Sequence, residues 1–321
     1  MGKEVKTSKE TIENKNASKE KAKAAVSQMT EEQRAALAKQ AKRRSRGRKL
    51  PWEILRYASL IITSIIVLLP LVTALFGSFK TSAEFNSSNV LALPKSFLNF
   101  SNYVTAFVDG NMLRGFMNTI FVLFFSLIAT ILTGTMTAYV LNRFKFPGRK
   151  LINNLFLIAS LIPSITMQMS VFQIISKLGL FNNRFSVVLL YAGTDIISIY
   201  IFLQFLENIP TSLDESAIMD GASYLKIYTK IIMPLLKPAI VTVIIIKGVG
   251  FYNDFYTPYL YTPKPALQTI STALFAFKGP YGAKWEIICA GAIITMIPTL
   301  IVFLLLQKQI YSGMTQGAVK E

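Results

Sequence analysis

Six long apolar stretches alternate with polar segments along the chain and determine its predicted architecture. Each stretch approaches or exceeds the roughly 20 apolar residues that a helix needs to cross a bilayer. Four of the six contain no Asp, Glu, Lys or Arg. The pattern predicts an all-α polytopic membrane protein with six transmembrane helices, whose even number places both termini on one side. The predicted spans cover residues 57–77, 115–141, 151–176, 185–206, 238–258 and 287–306.

The polar segments predict a division of the chain into three parts. Residues 1–50 form a basic arm that holds 15 of the 34 Lys and Arg residues, residues 51–306 form the transmembrane domain, and residues 307–321 form a C-terminal tail. Under the positive-inside rule, the arm predicts that both termini are cytoplasmic and that the chain lies in the plasma or inner membrane. Within the arm, Thr30-Glu31-Glu32-Gln33 predicts the start of a helix that runs to about Lys42, and the basic residues that follow are expected beside the anionic inner leaflet.

Composition excludes several kinds of chemistry. The chain has no His and one Cys, Cys289, inside the last predicted span, so His-based triads, His–Cys metal sites and intramolecular disulfides are excluded. It lacks the Gly-x-x-x-x-Gly-Lys-Ser/Thr phosphate-binding loop, so any ATP hydrolysis must come from a different chain. We therefore expect no enzymatic activity, catalytic residue, metal or cofactor. Nucleic acid is not an expected partner, because basic charge alone is weak evidence for it.

A polar island at residues 207–237 interrupts the apolar pattern and contains the clearest local signals. Ser212-Leu213-Asp214-Glu215 has the form of a capping box, which predicts the start of a short helix. Gly221 suits the left-handed residue that closes this helix, and Ser223 suits the cap of a second helix. The island therefore predicts a helix, a Gly turn and another helix.

The second helix of the island is predicted to be amphipathic and able to dock on a partner. Pro234 and Pro238 are expected to stop it from running unbroken into the next span. The predicted faces are an apolar one of Leu225, Tyr228 and Ile232 and a basic one of Lys226 and Lys230.

The island also has a fixed spacing of particular residues. Glu215-Ser216-Ala217 is followed by three residues and Gly221, and nine residues later by Ile231, one further residue and Met233-Pro234. This resembles the Glu-Ala-Ala loop of the membrane subunits of ABC importers, with Ser216 in place of the second Ala and Met233 in place of Leu.

Shorter motifs elsewhere narrow the resemblance. Residues 115–143 and 207–320 look like the smaller permease subunit of carbohydrate ABC importers, the group that contains the maltose system. The basic arm is longer than is usual for that family. The matching motifs are Asn118-Thr119, Ala138-Tyr139, Asn142-Arg143-Phe144, Gly313 and Gly317-Ala318-Val319-Lys320.

The resemblance implies a function in coupling rather than in chemistry. The implied partners are a second homologous permease subunit, a cytoplasmic ABC ATPase dimer, an extracytoplasmic solute-binding protein, membrane lipid and a sugar or oligosaccharide substrate. By family analogy, the loop helix sits in a cleft of the ATPase and the tail reaches the ATPase dimer interface. The implied ATPase-coupling residues are Asp214, Glu215, Ser216, Ala217, Asp220, Gly221 and Pro234, and the tail residues are Gly317, Ala318, Val319 and Lys320.

Charged residues within the predicted spans mark a second region. Each costs about 2.5–3.5 kcal/mol at the centre of a membrane helix, so such residues are expected to face a bundle interior or an aqueous path. Lys247 and Asp254 are seven residues apart, which predicts that they share one face of the fifth span. The alternative is that the charges form ion pairs between helices and that the nearby tyrosines anchor the chain at the membrane boundary. The candidates for the translocation path are Asp195, Lys247, Tyr252, Asn253 and Asp254, with Tyr256 and Tyr259 as further candidates for contact with sugar hydroxyls.

Three other functions stay open from the sequence. The chain would be an ABC permease for another solute, such as an amino acid or a metal ion; a secondary transporter; or a membrane scaffold that needs no ATPase. A secondary transporter is expected to show an internal repeat, and the chain has none beyond hydropathy. Binding of an ATPase discriminates the ABC permeases from the other two.

Overall fold

The computed structural model describes residues 30–193, 195–279 and 282–318 and is helical over most of that length. The chain divides into two compact units, residues 1–71 and residues 72–321. In the first unit, the large apolar side chains between Ile54 and Leu69 are exposed on a single helix. A helix that is apolar on all sides suits a lipid environment, because it has no polar face for water.

The described residues form the following elements. The α-helices are α1 Glu31–Phe79, α2 Ser82–Ser87, α3 Ser101–Asp109, α4 Met112–Arg143, α5 Arg149–Ser160, α6 Ser164–Lys177, α7 Arg184–Ala192, α8 Ile196–Glu207, α9 Ser212–Met219, α10 Tyr224–Ile227, α11 Met233–Leu235, α12 Lys237–Asn253, α13 Tyr256–Tyr261, α14 Ile270–Ala273 and α15 Trp285–Ala318. A π-helix covers Tyr228–Ile232, and 3₁₀ turns cover Pro265–Leu267 and Leu274–Phe277. An antiparallel pair of two-residue strands, β1 Lys278–Gly279 and β2 Gly282–Ala283, precedes α15.

Three helical segments in the described chain are long and apolar enough to cross a membrane without interruption, and three bent pairs bring the number to six if each pair is one span. The uninterrupted segments are Glu53–Phe79, Met112–Arg143 and Trp285–Lys308. The bent pairs are Arg149–Ser160 with Ile165–Lys177, Arg184–Ala192 with Ile196–Glu207, and Tyr224–Leu235 with Lys237–Asn253.

The bends are where the structure departs most from the predicted spans. The predicted span at 151–176 consists of two helices, α5 and α6, that meet at 107°. Pro163 lies at this break, and proline both lacks an N–H donor and disfavours helix in the residue before it. The predicted span at 185–206 bends by 43° between α7 and α8. Irregular backbone inside a membrane is tolerated where it lies against protein or lines a wet cavity.

Two helix ends also differ from the prediction. The helix predicted to run from Thr30 to about Lys42 continues as α1 to Phe79. The predicted fifth span at 238–258 ends as a helix at Asn253, and the separate helix α13 follows it.

The Met112 end of α4 is tied to the segment before α15. Asn118 donates through Nδ2 to the carbonyl oxygens of Ala266 (3.1 Å) and Gln268 (2.8 Å). The Thr119 hydroxyl accepts a bond from the Ile270 amide (2.9 Å). These bonds satisfy backbone groups of an irregular segment and explain what the Asn118-Thr119 motif does for the fold.

Candidate functional site: the loop between α8 and α12

The loop at residues 207–237 folds as a helix, a turn and a second helical segment, as predicted, but α9 begins differently. The residue at the cap position is Thr211, and its side chain makes no capping bond. The amides of Asp214 and Glu215 are instead bonded to the Thr211 carbonyl, at 3.0 and 3.1 Å. The predicted capping box from Ser212 to Glu215 is therefore wrong, because a backbone turn already satisfies the first amides of the helix.

The turn after α9 is confirmed as a left-handed glycine turn. Gly221 has a φ of +79° and donates to the Ile218 carbonyl, while the Ala222 amide donates to the Ala217 carbonyl, both at 2.9 Å. This pair of bonds is the Schellman ending of a helix. Ser223 then caps α10 by accepting a bond from the Lys226 amide, as predicted.

One face of the loop is built into the protein core. The buried residues of this cluster come from the loop and from α4, α8 and α12, so the loop and the ends of three long helices pack as one body. A buried hydrogen bond of 2.7 Å joins the hydroxyls of Tyr228 and Thr135 across that core. The cluster consists of Ala138, Tyr139, Phe202, Leu206, Ala217, Ile227, Tyr228, Ile232, Leu236, Ala239 and Val243.

An ion pair adds a charged tie between α4 and α9. Arg143 Nε lies 2.6 Å from Asp214 Oδ2, and the two side chains are only 7% and 11% exposed. Arg143 also donates through Nη2 to the Ile209 carbonyl (2.9 Å) and through Nη1 to Asn142 Oδ1 (2.8 Å). The Nε contact lacks hydrogen-bond geometry, and Asp214 Oδ1 has no hydrogen-bond partner in the described chain. Removing either charge would leave the other buried and unpaired.

The sequence did not predict that Arg143 belongs to this site. It named Arg143 only within the Asn142-Arg143-Phe144 motif. Its partner Asp214 is one of the residues implied in ATPase coupling, and the structure turns this side chain inward. Ala217 likewise packs against the chain's own core. A basic residue in the last turn of a long helix is the signal that marks Arg143, because that position favours a cation that reaches nearby acids and carbonyls.

The opposite face of the loop is exposed and mixes acidic with apolar side chains. Met219 is 87% exposed and Leu225 is 67% exposed, so Leu225 does not lie on the packed face where the sequence placed it. Ile227 takes the predicted place of Leu225 in the core, one residue before the π-helix begins. The other exposed loop residues with predicted roles are Glu215, Ser216, Asp220, Gly221 and Pro234.

Pro234 lies beside the sharp bend that ends the loop. It is in the first turn of α11, and Pro238 is in the first turn of α12. The segment Tyr224–Leu235 and the helix Lys237–Asn253 meet at 70°. The prediction that these prolines interrupt the helix is confirmed, since neither can donate a helical backbone bond.

The charged residues of the spans do not lie as predicted. Lys247 Nζ forms an ion pair of 2.7 Å with Asp195 Oδ1, while Ser198 Oγ donates to the other Asp195 oxygen. Asp254 lies beyond the end of α12 in extended backbone, so it does not share a helical face with Lys247. The inter-helix ion pair, which the sequence left as the alternative for Lys247, is present.

Asp254 instead organises the turn that follows α12. Its Oδ2 accepts a bond from the Tyr191 hydroxyl (2.8 Å), and its Oδ1 accepts from the amides of Tyr256 (2.8 Å) and Thr257 (3.2 Å). Tyr252 donates to the Thr295 carbonyl (2.8 Å), and Asn253 donates to the Val249 carbonyl (3.0 Å).

The predicted tail residues are only partly described. Gly317 and Ala318 form the last two residues of α15. Val319 and Lys320 lie outside the described residues.

Comparison with known proteins gives the same architecture and a family. Residues 130–316 match the family described as binding-protein-dependent transport system inner membrane component. The trehalose/maltose transport system permease protein MalG of Thermococcus litoralis is 32% identical over 271 residues, which cover 83% of this chain and 96% of that protein. The galactooligosaccharides transport system permease protein GanQ of Bacillus subtilis is 30% identical over 266 residues, 82% of this chain and 94% of that protein.

A solved structure shows the same fold. A chain of a bacterial ABC transporter involved in the import of the acidic polysaccharide alginate superposes with a TM-score of 0.70 at 23% identity, covering 81% of this chain and 96% of that one. The fold class predicted from the sequence is thereby confirmed. This chain belongs to the family of binding-protein-dependent transport system inner membrane components, and it is a permease subunit of an ABC importer.

Proposed function

We propose that this permease serves an importer of sugars or oligosaccharides and that its loop 207–237 transmits ATPase movement to the spans. The observation that supports the coupling role is the single core shared by the loop and the ends of α4, α8 and α12. Close-packed interiors transmit displacement because they have little free volume. Movement applied to the exposed face of α9 would therefore move three membrane helices together.

The exposed face of the loop supplies the contacts for a cytoplasmic ATPase dimer. Met219 and Leu225 offer apolar surface, and Glu215 and Asp220 offer carboxylates that suit basic or polar groups of a partner. Gly221 fixes the angle between α9 and α10 without a side chain nearby, since a Cβ built there meets nothing within 4 Å. Asp214 and Ala217 act from inside, by holding α9 against its own subunit.

The remaining partners follow from the importer type. A second homologous permease subunit completes the membrane part, and an extracytoplasmic solute-binding protein delivers the sugar. A structure related in fold, with a TM-score of 0.57, is an alginate ABC transporter in complex with a periplasmic protein that holds an alginate pentasaccharide. The relatives MalG and GanQ bear names for the transport of trehalose or maltose and of galactooligosaccharides, which supports a carbohydrate rather than an amino acid or metal ion.

The proposed orientation places the loop, the basic arm and the tail in the cytoplasm. Fifteen Lys and Arg residues in the first 50 positions support this side under the positive-inside rule. Cysteines placed at Ser27 and Thr315 in a Cys289→Ala background are expected to resist a membrane-impermeant thiol reagent added to intact cells, whereas one at Ser87 is expected to react. Labelling of Ser27→Cys and Thr315→Cys from outside would reverse the orientation. In this orientation the tail Gly317–Lys320 faces the ATPase dimer.

The intramembrane charges support a structural role for Lys247 and Asp195 in this subunit. Their ion pair ties the start of α8 to α12, and each is stabilised in low dielectric by the other. Asn253 is exposed and stays a candidate for the translocation path. Tyr252 and Asp254 have an indirect role, because their hydrogen bonds position the backbone and side chains around that path.

The proposal is tested by reconstituting the complete importer in proteoliposomes with its binding protein. ATP-dependent uptake is measured for maltotriose, galactotriose, an alginate trisaccharide, a mixture of amino acids and Mn²⁺. We expect uptake of a saccharide by the wild-type importer. We expect the Met219→Glu variant to lose both the ATPase and this uptake. Uptake of amino acids or Mn²⁺ alone would contradict the carbohydrate assignment.

A further inference from the structure

A cavity lies where the interruptions of the broken spans come together. It has a volume of about 440 Å³ and is lined from the break between α5 and α6, from the end of α7 and from α13. This volume falls within the range of about 300–1,000 Å³ typical of small-molecule sites. Of the residues that the sequence suggested for sugar contact, Tyr256 lines it, whereas Asp195, Lys247, Tyr252, Asn253 and Asp254 do not.

The lining offers an aromatic surface that is not used by the fold. Tyr256 is half exposed, and no other described ring stacks on it. Tyr191 by contrast stacks face to face on Phe251, with centroids 4.1 Å apart, and its hydroxyl is held by Asp254. Asp254 also accepts a bond from the backbone amide of Tyr256, which fixes the backbone that carries this ring. A tyrosine ring without a stacking partner suits a ligand with an apolar face and polar edges.

The polar groups that line the cavity are uncharged. Gln168 lines the cavity, and its amide makes no hydrogen bond within the described chain. None of the described lining residues is charged. Asp254, which precedes α13, already accepts three hydrogen bonds. An amide that both donates and accepts matches hydroxyl groups, whereas an anion would find no cation here.

We propose that this cavity binds part of an uncharged saccharide during translocation, with a sugar ring against Tyr256 and hydroxyls bonded to Gln168. A pyranose ring has an apolar C–H face and a rim of hydroxyls, the combination that this lining accepts. The inference rests on the proposed carbohydrate function and extends it, because it assigns direct substrate contact to this subunit and selects neutral sugars. It separates this chain from the alginate transporter, whose polysaccharide is acidic.

The test uses the complete importer in proteoliposomes, with maltotriose and galactotriose as neutral probes and an alginate trisaccharide as the acidic probe. Gln168→Leu removes the amide at nearly constant size, and Tyr256→Leu removes the ring. The matched control is Gln173→Leu, because Gln173 lies on the same helix α6, is exposed and does not line the cavity. The measurements are saccharide imported per ATP hydrolysed, ATPase stimulation by the loaded binding protein, and yield of the assembled complex.

The expected result is that wild type imports a neutral probe and not the acidic one. Both cavity variants then import about fivefold less per ATP, the effect of losing one hydrogen bond or ring contact, while ATPase stimulation and complex yield stay at the wild-type level. Gln173→Leu is expected to match wild type. Unchanged import in both cavity variants would overturn the proposal. Loss of complex yield in both would also overturn it, by showing that these residues serve assembly of the complex. Failure of wild type to import any saccharide would instead refute the carbohydrate function itself.

Discussion

The loop 207–237 joins two membrane segments, and breaks interrupt the bent pairs α5–α6 and α7–α8. The side chains of these two regions are packed in opposite ways. One face of the loop is packed into a continuous core, and Asp214 on that face is paired with Arg143. The broken spans surround a cavity, and Gln168 and the Tyr256 ring face it without partners in the described chain. A segment that transmits movement needs a rigid, closely packed interior. A segment that contacts a passing solute needs polar and aromatic groups that are not already paired within the protein. We propose that this contrast separates coupling from translocation within one chain.

The largest expected effect tests whether the loop is held as firmly as we describe. Arg143→Met leaves Asp214 buried and unpaired, which costs about 3–5 kcal/mol. We expect a sharp fall in the yield of assembled importer and in its thermal stability in detergent. The double variant Arg143→Met with Asp214→Leu is expected to recover much of the yield, because it removes both charges. Wild-type yield in the single variant would show that this ion pair does not fix the loop.

The next effect concerns the ion pair in the broken-span region. Lys247→Met and Asp195→Asn are each expected to lower complex yield, by less than Arg143→Met because these side chains are more exposed. The double variant is expected to assemble better than either single variant. Normal yield combined with reduced sugar uptake in both single variants would instead indicate that the charges line the path.

Two glycines give a matched comparison of the regions. Gly221 in the loop and Gly179 between α6 and α7 both have positive φ, and a Cβ at either meets nothing within 4 Å. Replacing either with valine therefore costs about 1–3 kcal/mol of backbone strain and no clash. We expect Gly221→Val to abolish ATP-driven uptake while the complex still forms, and Gly179→Val to retain uptake. Equal loss of uptake in both would assign the effect to stability alone.

The smallest expected effect comes from a single hydroxyl in the loop core. Tyr228→Phe removes the bond to Thr135, and about 0.5–1.5 kcal/mol of stability is expected to be lost with it. Tyr224→Phe is the control, since Tyr224 is exposed and its hydroxyl makes no bond in the described structure. Denaturation of the purified complex in detergent measures both. A larger loss from Tyr224→Phe would contradict the assigned core.

The sequence predicted the features of the loop that depend on one residue's backbone preference. Glycine at 221 tolerates positive φ, serine at 223 can cap a helix through its hydroxyl, and proline at 234 interrupts a helix. Each of these signals is local. The amphipathic spacing predicted a helix able to dock on a partner, and the resemblance to the Glu-Ala-Ala loop implied that this partner is an ATPase. Tyr228 and Ile232 are buried as the spacing predicts, but Ile227 rather than Leu225 packs with them, a choice that depends on tertiary contacts.

The tertiary contacts were beyond a single sequence. Arg143 and Asp214 are distant along the chain, and which of several acids Arg143 would meet depends on how α4 and α9 cross. Lys247 was matched with Asp254 by spacing along one helix, but that helix ends at Asn253 and Asp195 reaches Lys247 from α8. The cavity lies among three separate breaks, and the prolines that mark two of them, Pro163 and Pro258, do not indicate that the breaks meet.

Photo-cross-linking of the assembled importer tests whether the loop 207–237 contacts the ATPase. A photoreactive benzoylphenylalanine is placed at Met219, on the exposed face of the loop, and in a separate variant at Ile174, which is also exposed but lies on α6. We expect an adduct between the Met219 variant and the ATPase and none from the Ile174 variant. Absence of an ATPase adduct at Met219 in a complex that still contains the ATPase would contradict the coupling role of the loop.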